Sequence, residues 1–167
     1  MKFEKVSYSA FRKDMLKYKF TEEAIHEAYE NIRLPERSTE LSAGYDFFSP
    51  IKFILKPGDR IIIPTGIKVH FTENQAKIWH LQLFVRSSLG TKKDIVLSNG
   101  TGIIDPDYYG NPDNEGDMLM ALYNRGYHYR HFEVGDRIMQ GVFMIHGLSE
   151  DDTATGKRKG GVGSTND

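Results

Sequence analysis

Beyond Leu41, turn residues (Gly, Pro, Asn, Asp) recur about every ten positions, and only short β-type runs fit between them. Phe53-Ile54-Leu55 precedes Lys56-Pro57-Gly58-Asp59, and Ile61-Ile62-Ile63 leads into Pro64-Thr65-Gly66. Leu81, Leu83 and Val85 alternate with Gln82 and Phe84, the two-residue period of a half-buried strand. Residues 95–97, 118–123 and 138–145 are further strand candidates. Many short strands at this spacing predict a mainly β fold, a sandwich or a distorted jelly-roll-like barrel. Gly-Asp-Arg occurs twice, at 58–60 and 135–137, which two similar β-turns explain.

The first 34 residues have another texture. Thr21 is placed to cap a helix, Glu22 and Glu23 occupy its positively polarised first turn, and Ala24, Ile25, Ala28, Tyr29 and Ile32 form one apolar stripe. Pro35 ends it. The expected organisation is therefore an amino-terminal helical extension (1–34), a β-barrel core (35–148) and a flexible glycine-rich tail (149–167).

At 167 residues the chain suits one domain. A net charge of −1 argues against a broad nucleic-acid-binding face, which needs accumulated cations. No cysteine is present, so disulfides, thiolate zinc sites and cysteine nucleophiles are excluded. No stretch has the apolar length of a signal peptide or a membrane span, so the cytoplasm is the expected compartment.

The most telling stretch is Ile104-Asp105-Pro106-Asp107-Tyr108-Tyr109, directly after Asn99-Gly100-Thr101-Gly102. Asn-Gly signals a hairpin, because both residues tolerate positive φ. The bland reading is a structural turn followed by an acidic residue before proline. The sharper one is a pocket: Asn99 and the backbone read a planar base, Tyr108 packs on a sugar, and Asp105 deprotonates a water. An EF-hand starting at Asp105 fails, since its fifth and twelfth positions hold Tyr109 and Gly116.

Arg86-Ser87-Ser88 offers a forked cation with hydroxyl and amide donors, a composition suited to phosphate oxygens or to an ordinary surface turn. The tail, Lys157-Arg158-Lys159-Gly160-Gly161-Val162-Gly163-Ser164-Thr165, is basic and donor-rich; it is either an anion-closing segment or a solubilising end. It matches neither a Walker loop nor a dinucleotide fingerprint. His128 and His131 lack the further ligands a zinc site needs. A Mg²⁺ ion riding on substrate phosphates, touched through water by Asp46, is the favoured metal.

Five segments in order complete the pattern: Ala43-Gly44-Tyr45-Asp46, Arg86 to Gly90, Gly102 to Gly110, Gly135-Asp136-Arg137-Ile138-Met139-Gln140, and Gly160 to Thr165. Together they resemble the trimeric deoxyuridine triphosphatases (dUTPases), over roughly residues 35 to 167. The insert Asn111-Pro112-Asp113-Asn114-Glu115-Gly116 is similar to forms from Gram-positive bacteria and their phages.

The resemblance implies a homotrimer with sites between subunits and a tail that closes over a neighbour's site. It implies that Asp105 activates water against the α-phosphorus of dUTP, releasing dUMP and pyrophosphate. Asn99, Gly102, Ile103 and Ile104 would read uracil, and Tyr108 would wall the deoxyribose. Arg86, Ser87, Ser88 and Gln140 would hold phosphates, joined from the tail by Arg158, Gly161, Ser164 and Thr165. Asp46 would meet Mg²⁺ through water.

The tail departs from the family pattern. Lys157 and Val162 stand where an arginine and an aromatic are usual, and Arg158 is displaced by one. Lysine lacks the bidentate fork and valine cannot stack on uracil, which predicts a looser closure. Two rival readings remain. A dCTP deaminase relative would need a glutamate on the strand after the Asp105 segment, where Met118 to Tyr123 has none. A regulatory protein partner, reported for some phage-associated members, could dock on the amino-terminal helix.

Overall fold

The computed structural model describes residues 1–161; the expectations for Val162, Ser164 and Thr165 lie outside the described residues. In chain order the elements are β1 (Lys2–Lys5), α1 (Tyr8–Lys17), α2 (Glu22–Glu30), β2 (Tyr45–Phe48), β3 (Phe53–Leu55), β4 (Arg60–Pro64) and β5 (Ile67–His70). There follow α3 (Glu73–Ala76), β6 (Trp79–Val85), α4 (Ser87–Lys93), β7 (Ile95–Leu97), β8 (Gly102–Ile104), a 3₁₀ turn (Pro106–Tyr108), β9 (Leu119–Asn124), β10 (Arg130–Phe132) and β11 (Arg137–Ile145).

The strands pair antiparallel in four small sheets, in a jelly-roll-type arrangement. The largest has the order β2-β11-β6-β8, a second has β4-β9-β7, and two-stranded pairs β1-β5 and β3-β10 complete the set. Alternation along β6 sends Leu81 and Leu83 into the core, with Phe47 and Met139 from its sheet partners.

The segment before Pro35 is richer than a single helix. β1 adds to β5, and Phe3 packs on Tyr45, Phe47 and Phe143 of the barrel. The predicted helix is present as α2, with the Thr21 hydroxyl accepting from the Ala24 N–H. A second helix precedes it: the Ser7 hydroxyl caps α1 by accepting from the Ala10 N–H. Phe11, Met15 and Ile25 are fully buried in the same cluster as the barrel residues, each contributing about 1.5–3 kcal/mol. The apolar stripe of α2 is thus covered by its own chain, and residues 1–34 share the barrel's core.

The Asn99-Gly100 turn is not a hairpin. β7 pairs with β9 while β8 pairs with β6, so the two strands flanking the turn belong to different sheets. Gly100, at φ 75°, turns the chain so that it can cross from one sheet to the other. That crossing leaves a gap between the sheets, and the gap becomes the pocket.

Candidate active site

A cavity of about 500 Å³ opens where the β7–β8 crossing parts the sheets. Asn99, Gly102, Ile103, Ile104, Asp105 and Tyr108 all line it. Leu119 and Ala121 close the opposite side, from β9 and the other sheet. A slot with apolar walls and a few polar groups suits a flat heterocycle.

Asp105 directly follows β8 and stands at the start of the 3₁₀ turn, yet its carboxylate does not cap that turn. Half exposed, it reaches the cavity and accepts at Oδ2 from the Arg158 guanidinium at 2.7 Å. Oδ1 has no hydrogen bond among the described residues. Arg158 also donates to Asp107 Oδ1 at 2.9 Å, and its guanidinium lies 5.5 Å from the Tyr108 ring centre. The tail arginine expected on phosphates therefore sits on the candidate base, at the cavity's edge. Gly161 lines the same cavity.

Tyr108 is 6% exposed and held at its far end. Its hydroxyl donates to the Asp117 carbonyl at 2.9 Å and accepts from Asn114 Nδ2 at 3.0 Å. Burial pushes its phenol up to about 12, so it stays neutral. Asn111 donates to Asn114 Oδ1 at 2.9 Å and to the Tyr108 carbonyl at 2.8 Å, tying the insert to the ring's own backbone. Gly116, at φ 95°, allows that close return: a Cβ there would stand 2.8 Å from the Tyr108 carbonyl oxygen. Beneath it, the fully buried Asp117 accepts at Oδ1 from the Gly66 N–H at 2.7 Å, while Oδ2 has no partner. Burial, then the neighbouring Asp14 charge, pushes this carboxyl well above the usual range.

The phosphate candidates gather elsewhere. Asp46 on β2 is 5% exposed; it accepts from the Ser38 hydroxyl at 2.8 Å and is ion-paired with Arg86 Nε at 2.9 Å and with Arg137 at 3.5 Å. A β-bulge between Arg137 and Met139 explains the last contact: the extra residue turns Arg137 onto the face that carries Asp46 and Gln140. Gln140 pairs across from Asp46 on one side and Phe84 on the other. Arg86, Ser88, Lys93 and Arg137 line a second cavity of about 390 Å³; Ser87 lies exposed beside it, at the start of α4.

No described residue lines both cavities. Asp46 sits on one edge strand of the four-stranded sheet and Asp105 follows the other, three strand spacings or about 14 Å apart across the sheet. Within one chain the Asp105 group and the Arg86–Asp46 group are not brought together. Sequence reading missed Tyr18 and Arg60, which also line the larger cavity, and the cations Lys93 and Arg137 of the smaller one. Arg137 lay within a quoted segment but was read as a turn; Tyr18 carried no motif.

The strands and their pairing place the chain among jelly-roll-type proteins. A profile of the dUTPase family matches residues 30–166, and the chain belongs to that family of dUTP diphosphatases. It is 43% identical over 136 residues to the deoxyuridine 5′-triphosphate nucleotidohydrolase of Lactococcus lactis, spanning 80% of this chain and 88% of that one. The Xanthomonas oryzae counterpart is 40% identical over 113 residues, spanning 66% of this chain and 67% of that one. Among solved structures, the dUTPase from Streptococcus mutans superposes with a TM-score of 0.67 at 33% identity, covering 90% of this chain and 99% of that chain. A dUTPase from phage phi11 of S. aureus, at 24% identity and a TM-score of 0.61, shares the fold over 76% of this chain and 92% of its own. No helix among the described residues is long and apolar enough to cross a membrane.

Proposed function

We propose that this protein hydrolyses dUTP to dUMP and pyrophosphate, as a homotrimer whose active sites form between subunits. The observation that carries the chemistry is the shared cavity: a carboxamide, a backbone edge, an aromatic wall and a carboxylate converge on one slot. Uracil enters between the sheets, where Asn99 and the backbone of residues 102–104 match its polar edge. Tyr108 walls the deoxyribose. Asp105 accepts a proton from the water that attacks the α-phosphorus; the bond to the bridging oxygen breaks, and pyrophosphate leaves with its electron pair.

A triphosphate repels an incoming nucleophile, so its charge must be screened first. Arg86, Ser87, Ser88 and Gln140 do this from a neighbouring subunit, which accounts for the separation of the two cavities within one chain. Arg158, Gly161, Ser164 and Thr165 add donors as the tail closes. Arg158 then moves from Asp105 and Asp107 toward the phosphates, freeing the base.

The donors present suit a Mg²⁺ ion that arrives on the substrate. Among the described residues no three carboxylates or histidines gather into a cage, and Asp46 is already paired with two guanidiniums, so it would touch such an ion only through water. Bound there, the ion would neutralise phosphate oxygens.

The test is direct. With Mg²⁺ and each of dUTP, dTTP, dCTP and UTP in turn, pyrophosphate should appear quickly from dUTP alone, and Asp105→Asn should lower kcat by about 10³-fold. Equal turnover of dTTP, or ammonia released from dCTP, would overturn the reading.

A further inference from the structure

The extension before Pro35 reaches the nucleotide cavity by two routes. Tyr18, the residue that caps the end of α1, lines the cavity that Asp105 and Tyr108 also line, and its hydroxyl makes no hydrogen bond among the described residues. One helical turn earlier, Asp14 is 3% exposed and accepts at Oδ2 from Asn114 Nδ2 at 3.0 Å. That same amide nitrogen donates to the Tyr108 hydroxyl. A chain of two hydrogen bonds therefore links α1 to the ring expected to wall the sugar.

The linkage is reinforced on both sides of Asn114. Lys13 donates to the Asp113 carbonyl at 2.6 Å and pairs with its carboxylate at 2.8 Å. The Ser7 hydroxyl donates to Glu115 Oε1 at 2.6 Å and the Ser7 N–H to Oε2 at 3.1 Å, and Lys68 joins at 3.0 Å. These contacts hold the Glu115 carboxyl down at about 2 and fix a residue whose φ is 59°. The insert is clasped by α1 and its cap, and the insert in turn sets Tyr108.

We infer that α1 is part of the selectivity machinery: Tyr18 forms a wall of the nucleoside pocket, and Asp14, acting through Asn114, is a positioning residue for Tyr108. The inference rests on the reading of this cavity as the deoxynucleoside site. A ring that discriminates against a 2′-hydroxyl works by occupying space, so tenths of an ångström of play weaken it. Asn114 shares two N–H groups among three acceptors (Asp14, Tyr108 and the Asp117 carbonyl), and the buried Asp14 carboxylate anchors that arrangement. Removing the acceptor frees the amide to turn, and the ring loses its stop.

The experiment measures kcat/KM for dUTP and UTP in the full chain and in three variants, each checked for assembly state. Asp14→Ala should lower the dUTP:UTP ratio about tenfold. Asp14→Asn, whose carbonyl still accepts from Asn114, should keep the ratio within about twofold. Tyr18→Ala should raise KM for dUTP about fivefold with kcat unchanged. A purely structural role would lower Tm and slow both substrates alike, so an unchanged ratio in folded Asp14→Ala overturns the positioning role. If Asp14→Ala does not fold, Tyr18→Ala decides, and an unchanged KM overturns the inference. Wild-type protein that fails to turn over dUTP would instead overturn the functional reading itself.

Discussion

The Asp105 cavity and the Arg86 cavity are built on opposite principles. The first is stiff: Tyr108, Asn111, Asn114 and Asp117 form a buried network in which nearly every polar atom is engaged. The second is a set of placed charges, with one buried carboxylate, Asp46, holding two arginines at the rim. A pocket that selects by shape needs rigid walls, since exclusion fails when the walls give. A pocket that binds a triphosphate needs cations at the right spacing, and long-range attraction tolerates some movement.

Four substitutions press on this contrast. Arg86→Ala should have the largest effect, lowering kcat/KM for dUTP by about 10²-fold or more, because it removes a phosphate cation and leaves Asp46 less compensated. The dUTP:UTP ratio should stay put, since the sugar wall is untouched; a collapsed ratio would blur the division between the halves. Gly116→Ala should do the reverse. It forces a Cβ against the Tyr108 carbonyl at a positive φ, costing about 1–3 kcal/mol. Calorimetry should show Tm lower by several degrees, with selectivity falling more than maximal rate.

Asp117→Asn tests the stiff half more gently. The folded state holds this carboxyl's pKa above its unfolded value, so stability falls as pH rises from the ordinary aspartate range toward the raised one. An asparagine keeps the acceptor for the Gly66 N–H and has no charge to bury. Denaturant unfolding should show a gain of about 1 kcal/mol at neutral pH and a flatter pH profile between acid and neutral. The smallest change is expected at the tail: Val162→Phe should raise kcat/KM a few-fold by stacking on the base, as pyrophosphate release would report.

Much of this was legible in the chain, and the boundary of legibility has physical causes. Period-two alternation and turn residues marked the segments that became β3, β4, β6, β7, β9 and β11, because both signals are local. β1 was missed: Lys2-Phe3-Glu4-Lys5 has no apolar run, and its strand geometry is set by pairing with β5, far along the chain. α1 was missed because Asp14 interrupts its apolar face; buried there, Asp14 accepts from Asn114, a partner a hundred residues away that local pattern does not reveal. The Asn99-Gly100 turn was correctly placed but taken for a hairpin, since a turn dipeptide does not report which sheet each flanking strand joins. Ordered motifs brought Asn99, Asp105 and Tyr108 onto one cavity. They also named Arg86 for phosphates and Asp46 for the metal, without showing that the two form an ion pair; the resemblance implied sites between subunits, but not which motifs part company within a chain.

That parting is the central claim, and co-expression tests it most directly. Asp105→Asn and Arg86→Ala subunits should each retain at most about a hundredth of wild-type activity alone, and when produced together they should assemble mixed trimers. If each site takes its base from one subunit and its phosphate cation from the next, about a quarter of sites in a random mixture regain both groups. Activity on dUTP should then recover to about that fraction of wild type. Mixed trimers that stay as inactive as either parent would show that a single subunit supplies both halves, contradicting the account.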